Sequence, residues 1–326
     1  MADDARMGAT SAGPWPELPW HDWEPTVSTL HRWVQIVGKV RTALSPPLNH
    51  WWHSTLSLTP RGLTTTSIPV GRRAMDIRFD FVDHELVVGD SDGRSFLLPL
   101  APMSVARFYR EVMAGLEGIG ADVRISTRPN ELVDATPFEL DETHASYDPS
   151  HATALWRAFL DADRVLKSFQ SGFIGKQSPV QLFWGSFDLA ASRYGGRPAP
   201  PYTGSAVNCP EWVMEEAYSA EESAAGWWPQ FEPPGPAFYA YTYPAPKGIA
   251  GAKVRPAAAT WDEPMGLFML SYDAVRDLPD PDAEVLDFLE ATYAAGADLA
   301  GWDRAHLEPA HRPGPHQRGP WSVLSS

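Results

Sequence analysis

The order of hydrophobic patterns constrains the fold of this chain more than any other feature, because the same order occurs twice. Apolar residues recur at helical spacing over 26–44 and again over 104–118. Between these two predicted helices lie short segments in which apolar and polar residues alternate, as in "MDIRFDFV" at 75–82. A period of two is typical of strands with one buried face. The first part of the chain is therefore predicted to run helix, antiparallel strands, helix.

The second part repeats this order. A helix is predicted from Pro149 to about Phe169, strands at 180–191 and 238–243, and a last helix at 282–299. The stretch "PPLNHWWHST" can also be aligned with "SPVQLFWGSF". Together the two parts predict an α+β fold. In it, a duplicated helix–antiparallel strands–helix unit forms one large curved antiparallel sheet with helices on one face.

Local composition predicts one folded domain between a disordered N-terminus and a flexible C-terminal tail. The expected segments are a disordered N-terminus at 1–14, a single domain at 15–303 built of pseudo-repeats at about 15–140 and 145–303, an ordered insert at 195–236, and a flexible tail at 304–326. The insert is rich in proline, glycine and aromatic residues. Long ordered loops inside a compact chain are usually functional, so the insert is a candidate lid.

Charge and cysteine content exclude several classes of protein. The formal net charge is −15, and no basic stripe is visible, which argues against nucleic-acid binding and against anionic membranes. No apolar run approaches the roughly 20 residues of a membrane span, and no signal peptide is expected. The single cysteine, Cys209, rules out an intrachain disulfide. These features predict a cytoplasmic protein whose partner is a small molecule.

No familiar catalytic motif identifies a reaction. The sequence has no nucleophile elbow, P-loop, dinucleotide fingerprint, His-Glu-x-x-His motif or paired cysteine motif. A nucleotide cofactor therefore has no motif to support it, while a divalent metal ion stays possible. The sequence does not determine the oligomeric state.

The stretch "NHWWHSTL" at 49–56 raises the question of a metal or catalytic site. If it is a strand, alternate side chains share a face. One face then carries His50, Trp52 and Ser54, and the other carries Trp51, His53 and Thr55. The two histidines could not both bind one metal ion on such a strand, so at least one of them is expected to be structural.

The predicted strand at 180–191 carries the matching polar groups. Its shared face would hold Leu182, Trp184, Ser186 and Asp188. A carboxylate among apolar residues needs a partner or a polar cavity, because an unpaired buried charge is costly. One hypothesis is a pocket with aromatic walls into which both strands direct polar groups. The alternative is a buried polar network that fixes the strand register.

Two further segments are candidates for the site. The stretch "EEAYSAEESAAGWW" at 215–228 is predicted to begin as a helix, which would be either a lid that brings a carboxylate over the pocket or a solvated acidic helix. Lys176 lies in a predicted turn and could bind an anionic group of a substrate. Its alternative is an ordinary surface residue.

Long blocks of the sequence resemble a catalogued family. The blocks are "TLHRWVQIVGKVRTALSPPLNHWWHSTLSLTPRGLTTTSIP", "GFIGKQSPVQLFWGSFDLAASRYGGRPAPP" and "EEAYSAEESAAGWWP". They are similar to signature blocks of a bacterial family named domain of unknown function 5996, from about Trp15 to Trp302. The resemblance implies one integral domain and adds little about the chemistry.

The resulting hypothesis is a small-molecule enzyme with hydrolase, isomerase or lyase-like acid/base chemistry in an aromatic-walled pocket. His50 would be the base, Asp188 its orienting partner, and Glu221 a further catalytic group or, with the other two, a metal ligand. The expected substrate-binding residues are Trp52, Ser54, Trp184, Ser186, Tyr218, Tyr241 and Lys176. The alternative is a non-catalytic small-molecule binding protein with structural histidines. A weaker third hypothesis is an interaction module that uses acidic helices.

Overall fold

A computed structural model describes residues 15–229 and 235–309 of the chain. Within these ranges it contains six α-helices and two antiparallel sheets of six strands each. The helices are α1 (Trp20–Leu44), α2 (Val105–Gly118), α3 (Pro149–Gln170), α4 (Glu211–Ala217), α5 (Pro281–Leu299) and α6 (Arg304–Leu307). No helix of the described ranges combines the length and apolar character that crossing a membrane requires.

The first sheet comes entirely from the first part of the chain. Its strands are β1 (Ser57–Thr59), β2 (Gly62–Thr64), β3 (Ile68–Val70), β4 (Arg73–Asp80), β5 (Glu85–Asp90) and β6 (Ser95–Pro99). They follow the order β1-β2-β4-β5-β6, and β3 pairs with one end of β4. The alternation in β4 buries Met75, Ile77 and Phe79, as the sequence predicts, and Ile77 lies opposite Val88 of β5.

The second sheet comes from the second part of the chain. Its strands are β7 (Gln181–Phe183), β8 (Asp188–Pro198), β9 (Ala220–Trp228), β10 (Ala237–Tyr243), β11 (Thr260–Asp262) and β12 (Leu267–Ser271). The order is β11-β12-β10-β9-β8-β7. Helices α3 and α5 pack on one face of this sheet, where Arg193 of β8 contacts Phe169 and Glu290, and Trp227 of β9 lies edge-on to Phe159.

The α+β class and the antiparallel strands agree with the sequence prediction. The strands form two sheets instead of one continuous sheet, and the two sheets meet at a single bridge. At this bridge Leu56 and Leu182 exchange two backbone hydrogen bonds of 2.9 and 2.8 Å. Each sheet contains one half of the strands in chain order, so the helix–strands–helix order is present twice. The internal duplication itself stays a prediction.

Three predicted elements have different boundaries in the structure. The segment after Leu48 is not a strand, because Asn49–Trp51 forms a 3-10 turn with φ of 54° at His50 and 61° at Trp51. The predicted strand 180–191 is interrupted by a turn between β7 and β8. The predicted helix in 215–228 ends at Ala217, because the following residues form β9 and hydrogen-bond to strands on both sides.

The predicted limits of the insert and the tail can be compared with the helices and strands of the structure. The insert 195–236 contains the end of β8 and the whole of β9, so part of it belongs to the sheet. Helix α6 lies within the predicted flexible tail. The predicted disordered N-terminus, residues 1–14, lies outside the described residues.

Candidate functional site

A cavity of about 810 Å³ lies on the face of the second sheet that α3 and α5 leave open. Strands β8, β9 and β10 provide its floor through alternate residues, which include Asp188, Glu222 and Tyr239. Helix α1, the turn at 49–54 and the segments 126–131 and 202–218 provide the walls. The cavity therefore lies where both parts of the chain meet.

Aromatic rings form most of the walls. Six tyrosines and five tryptophans of the described chain line the cavity: Tyr194, Tyr202, Tyr218, Tyr239, Tyr241, Tyr243, Trp51, Trp52, Trp184, Trp212 and Trp228. Tyr239 stacks on Trp228 at 4.2 Å between ring centroids, and Tyr202 stacks on Tyr218 at 4.4 Å. Such walls bind apolar or aromatic ligands, with a few polar groups to fix orientation.

Asp188 is buried at the first position of β8. One carboxylate oxygen accepts a hydrogen bond from the Ser186 hydroxyl and the other accepts one from the Tyr239 hydroxyl. Burial raises the pKa of Asp188 above its usual value, and the two hydrogen bonds oppose this shift. Gly226 provides space for the Tyr239 ring, since a Cβ at that position would lie 2.6 Å from the Tyr239 hydroxyl.

Glu222 is the second buried carboxyl group of the floor. The hydroxyl groups of Ser192, Tyr194 and Tyr241 favour its ionised form, and Lys176 acts on it at longer range. Burial is the largest influence and raises the pKa of Glu222 to about 7. The carboxyl group can therefore exchange a proton near neutral pH.

A hydrogen-bond acceptor and a hydrogen-bond donor hold the imidazole of His50. Its Nδ1 lies 2.9 Å from the carbonyl oxygen of Ala217, which can only accept, so Nδ1 carries the proton. Its Nε2 lies 2.8 Å from Nζ of Lys176, an ammonium that can only donate. Burial lowers the pKa of His50, so the imidazole is neutral at pH 7. The Lys176 ammonium also lies 4.7 Å from the ring centroid of Tyr194.

Glu131 reaches into the cavity from the segment that precedes α3. Solvent reaches its side chain through the cavity, while protein surrounds it on the other sides. This environment raises the pKa of Glu131 to about 7, and the nearby Asp188 carboxylate contributes to the shift. Gly185 makes the approach possible, because a Cβ there would overlap the Glu131 carboxylate.

A polar stripe on α1 supports this side of the cavity. His31, Gln35 and Lys39 recur every four residues and are all buried. Gln35 bonds the main chain of Asn130 in both directions at 2.8 Å, and Lys39 donates to the Asn130 side chain. Burial lowers the pKa of Lys39 to about 8, and its ammonium lies 5.3 Å from the Trp184 ring centroid.

Comparison with family models decides the classification. The model of a family of unknown function, DUF5996, matches residues 15–309. The chain belongs to the DUF5996 family. Searches of the curated proteins and of the solved structures gave no match. The family match covers both sheets, so the cavity lies within the DUF5996 domain.

Most of the residues predicted from the sequence meet in this cavity of the DUF5996 domain. His50, Asp188 and the expected binding residues Trp52, Ser54, Trp184, Ser186, Tyr218 and Tyr241 all line it. Lys176 contacts His50 at the cavity edge. His53 does not line the cavity: its Nδ1 accepts a hydrogen bond from the main chain of Leu48, which is a structural role.

Two predicted roles are corrected by the geometry. Asp188 does not orient His50, since Ala217 and Lys176 bind both imidazole nitrogens and Ser186 and Tyr239 bind the carboxylate. Glu221 lies outside the large cavity of the domain. It pairs with Arg197 at 2.7 Å and accepts a hydrogen bond from Trp302, because it points away from the face that carries Glu222.

The predicted metal-ligand set is not assembled either. No three His, Cys, Asp or Glu side chains of residues 15–229 and 235–309 lie together as a metal site would require. His50 and Asp188 have protein partners on the atoms that would bind a metal, and Glu221 is paired elsewhere.

Several cavity residues were missed by the sequence analysis. Glu222 could have been found if 220–228 had been treated as a strand, because alternation then separates it from Glu221. Lys39 could have been found from the buried polar stripe of α1 at intervals of four. No local pattern marks Glu131 or Cys209, which reach the cavity through long-range packing, whereas Tyr239 could have been found because it shares a strand face with Tyr241.

Proposed function

We propose that the DUF5996 domain binds an organic small molecule in the aromatic cavity and acts on it by acid/base chemistry. The observation that carries the proposal is the pair of cavity carboxyl groups, Glu222 and Glu131, whose pKa values are both raised to about 7. Proton transfer is most effective when the pKa of the catalytic group lies near the working pH. Hydrolase, isomerase and lyase-like reactions all use such groups.

Backbone conformation at the cavity supports a functional site. His50, Trp51, Glu131 and Asn208 line the cavity, and each has a positive φ between 53° and 61°. A left-handed backbone costs roughly 1 kcal/mol or more at a residue other than glycine. Such conformations cluster at active sites and ligand clamps, where the surrounding structure holds them in place.

The geometry favours Glu222 as the group that moves a proton. His50 is neutral, but its Nε2 lone pair already accepts from Lys176, so its use as a base requires that this contact break. Glu222 lies beside the hydroxyl of Tyr241, which in turn contacts the Tyr218 hydroxyl at 3.0 Å. In the proposed mechanism, Glu222 exchanges the proton, and the tyrosine hydroxyls orient the substrate.

The second candidate function is a non-catalytic small-molecule binding protein. One observation favours it: protein groups already bind both nitrogens of His50 and both oxygens of Asp188. Fully bonded polar networks rigidify a structure, which suits a pocket that binds a molecule without converting it.

The experiment that separates the two functions compares wild type with Glu222→Gln. Each protein is incubated with a defined mixture of small metabolites; native mass spectrometry detects bound molecules, and liquid chromatography–mass spectrometry detects products. For an enzyme, wild type depletes a metabolite, whereas Glu222→Gln retains it without conversion. For a binding protein, both retain it unchanged.

Glu221→Gln is the matched control, because this residue is adjacent in sequence and lies outside the large cavity. It should behave as wild type. If wild type neither retains nor converts any compound of the mixture, the proposal fails for the chemical classes included.

We also propose a cytoplasmic location and no nucleic-acid or membrane partner. The single cysteine of the sequence and the net charge of −15 support these proposals. Fractionation of the cells that produce the protein tests the location. Recovery in a membrane or extracellular fraction would contradict it.

A further inference from the structure

Two carboxyl groups of the cavity, those of Asp188 and Glu131, have no basic partner among the described residues, whereas Lys176 acts on Glu222 at longer range. Asp188, Glu131 and Glu222 line it, and none of them forms an ion pair within residues 15–229 and 235–309. The hydroxyl groups of Ser186 and Tyr239 donate to Asp188, and the side chain of Glu131 has no hydrogen bond to the described residues. For the buried Asp188, a carboxylate without a cation is costly, and Glu131 lies on the side of the cavity that solvent reaches. A cationic ligand would supply the missing charge.

The ring faces beside these carboxyl groups also attract cations. Tyr239 lies between Trp228 and Tyr241, with ring centroids at 4.2 and 6.3 Å, so the three rings form a continuous wall. Tyr239, in the middle of this wall, donates to Asp188, and Tyr241, at one end, lies beside Glu222. The face of an aromatic ring is electronegative and binds ammonium groups, more strongly where water is excluded.

Three basic residues lie in or beside the cavity, and the first, Lys176, contacts His50 and the Tyr194 ring at its edge. Lys39 lies against Asn130, the residue before Glu131, and its ammonium is 5.3 Å from the Trp184 ring centroid. Arg128 is exposed at the edge of the cavity. Neither Lys39 nor Arg128 forms an ion pair with a carboxylate of the described chain. The net charge of −15 adds a long-range attraction for cations.

We propose that the ligand of this cavity is an organic cation: an ammonium group attached to an apolar or aromatic body. The ammonium lies near Asp188 and Glu131, and the body packs along the wall of Trp228, Tyr239 and Tyr241. This inference rests on the proposed function, because it names the substrate class of the same cavity.

The test uses two probes of nearly equal shape, 2-phenylethylamine, which is protonated at neutral pH, and 2-phenylethanol, which is not charged. Isothermal titration calorimetry measures the binding of each to the full chain. The amine is expected to bind about tenfold tighter or more, as one cation–π contact combined with one charge pair allows.

Variants locate the source of this preference. Asp188→Asn and Glu131→Gln should weaken binding of the amine and leave binding of the alcohol nearly unchanged. Glu221→Gln, outside the cavity, should change neither. Circular dichroism and thermal unfolding check the fold of each variant. If Asp188→Asn does not fold, Glu131→Gln decides, because no hydrogen bond of the described chain depends on its carboxyl group.

Each outcome has a definite meaning. If the alcohol binds as tightly as the amine, the cation inference is wrong, while the small-molecule cavity stands. If neither probe binds, the cation inference is also wrong, and the metabolite experiment with Glu222→Gln still tests the proposed function separately. A preference for the amine that disappears in Glu131→Gln supports the inference.

Discussion

At the scale of single residues, two adjacent glutamates have different environments because a strand directs them to opposite faces. Glu222 points into the cavity and is 5% exposed, with hydroxyl groups around it. Glu221 points to the other side and pairs with Arg197 and Trp302. The same side chain is therefore a candidate proton carrier at one position and a structural ion pair at the next.

Glu222 is expected to make stability depend on pH. Its pKa is raised from 4.5 to about 7, so the folded state holds a proton that the unfolded state releases. The stability from this proton is complete below the unfolded pKa and is lost as the pH rises through about 7. The loss is about 3 kcal/mol when complete. Urea unfolding between about pH 5 and 8 should show this decline in wild type.

Glu222→Gln should lose the part of the pH-dependent decline in stability that Glu222 causes. At about pH 8 it should be more stable than wild type. Glu221→Gln is the control and should leave the decline in place. The other titratable groups that face Glu222 are Lys176, Tyr194, Tyr218, Tyr239 and Tyr241. Burial raises the pKa of these tyrosines, so they stay neutral in this range. Parallel stability curves for wild type and Glu222→Gln would contradict the prediction.

At the scale of elements, residues 199–219 form a cover over the cavity. None of the residues of α4 within this cover segment is buried. The segment is held at one edge by the main chain of Glu131, which donates to the Val207 carbonyl at 2.7 Å. At the other edge, the Ala217 carbonyl accepts from His50, and Trp212 packs on Trp51 at 5.1 Å. An element without buried residues is typical of a segment with low local stability.

Asn208→Ala should loosen the cover segment. The Asn208 side chain donates to the Leu132 carbonyl at 2.9 Å, and its φ is 53°, which asparagine tolerates better than alanine. The combined loss is about 1–2 kcal/mol of local stability. Hydrogen exchange over 199–219 should become roughly tenfold faster, with little change in α1.

Asn208→Gly is the matched variant. It also loses the hydrogen bond but accommodates the positive φ, so its effect should be smaller than that of Asn208→Ala. Equal exchange over 199–219 in wild type and Asn208→Ala would show that the cover is held by other contacts.

Element type was predictable where periodicity was strong and unpredictable where backbone geometry was irregular. The apolar stripe of α1 and the alternation of β4 depend on local sequence, so both elements were predicted. The turn at His50 depends on two left-handed residues, and β9 depends on its two neighbouring strands. Neither condition is visible in a short window of sequence.

The sequence indicated which residues of the candidate site lie together, but it did not indicate which of them bond to each other. The assumed strand alternation grouped His50, Trp52 and Ser54, which all line the cavity, but it placed Trp51 on the other face although Trp51 lines the cavity too, because these residues form a turn. Alternation gave no information about hydrogen-bond partners, so the pairing of His50 with Asp188 was wrong. Glu131 lies in an irregular segment and could be placed only by the fold.

At the scale of the whole molecule, α1 connects the two parts of the chain at the cavity. Gln35 bonds Asn130 of the first part and also the Gly185 carbonyl in the turn between β7 and β8. His31 contacts the same Gly185 carbonyl at 2.9 Å. The cavity needs both parts, and this agrees with a family match that extends over both.

Gln35→Leu should therefore weaken the whole domain and the cavity together. The side chain is fully buried, and its loss leaves the main-chain N–H and carbonyl of Asn130 without these partners. The expected cost is about 2–4 kcal/mol in the free energy of urea unfolding. Binding of 2-phenylethylamine should also weaken, since Asn130 positions Glu131. Thr42→Val on the same helix is the control, because its hydroxyl bonds only the Gly38 carbonyl, and it should cost less than about 1 kcal/mol. If both variants unfold at the same urea concentration, α1 does not connect the two parts as described.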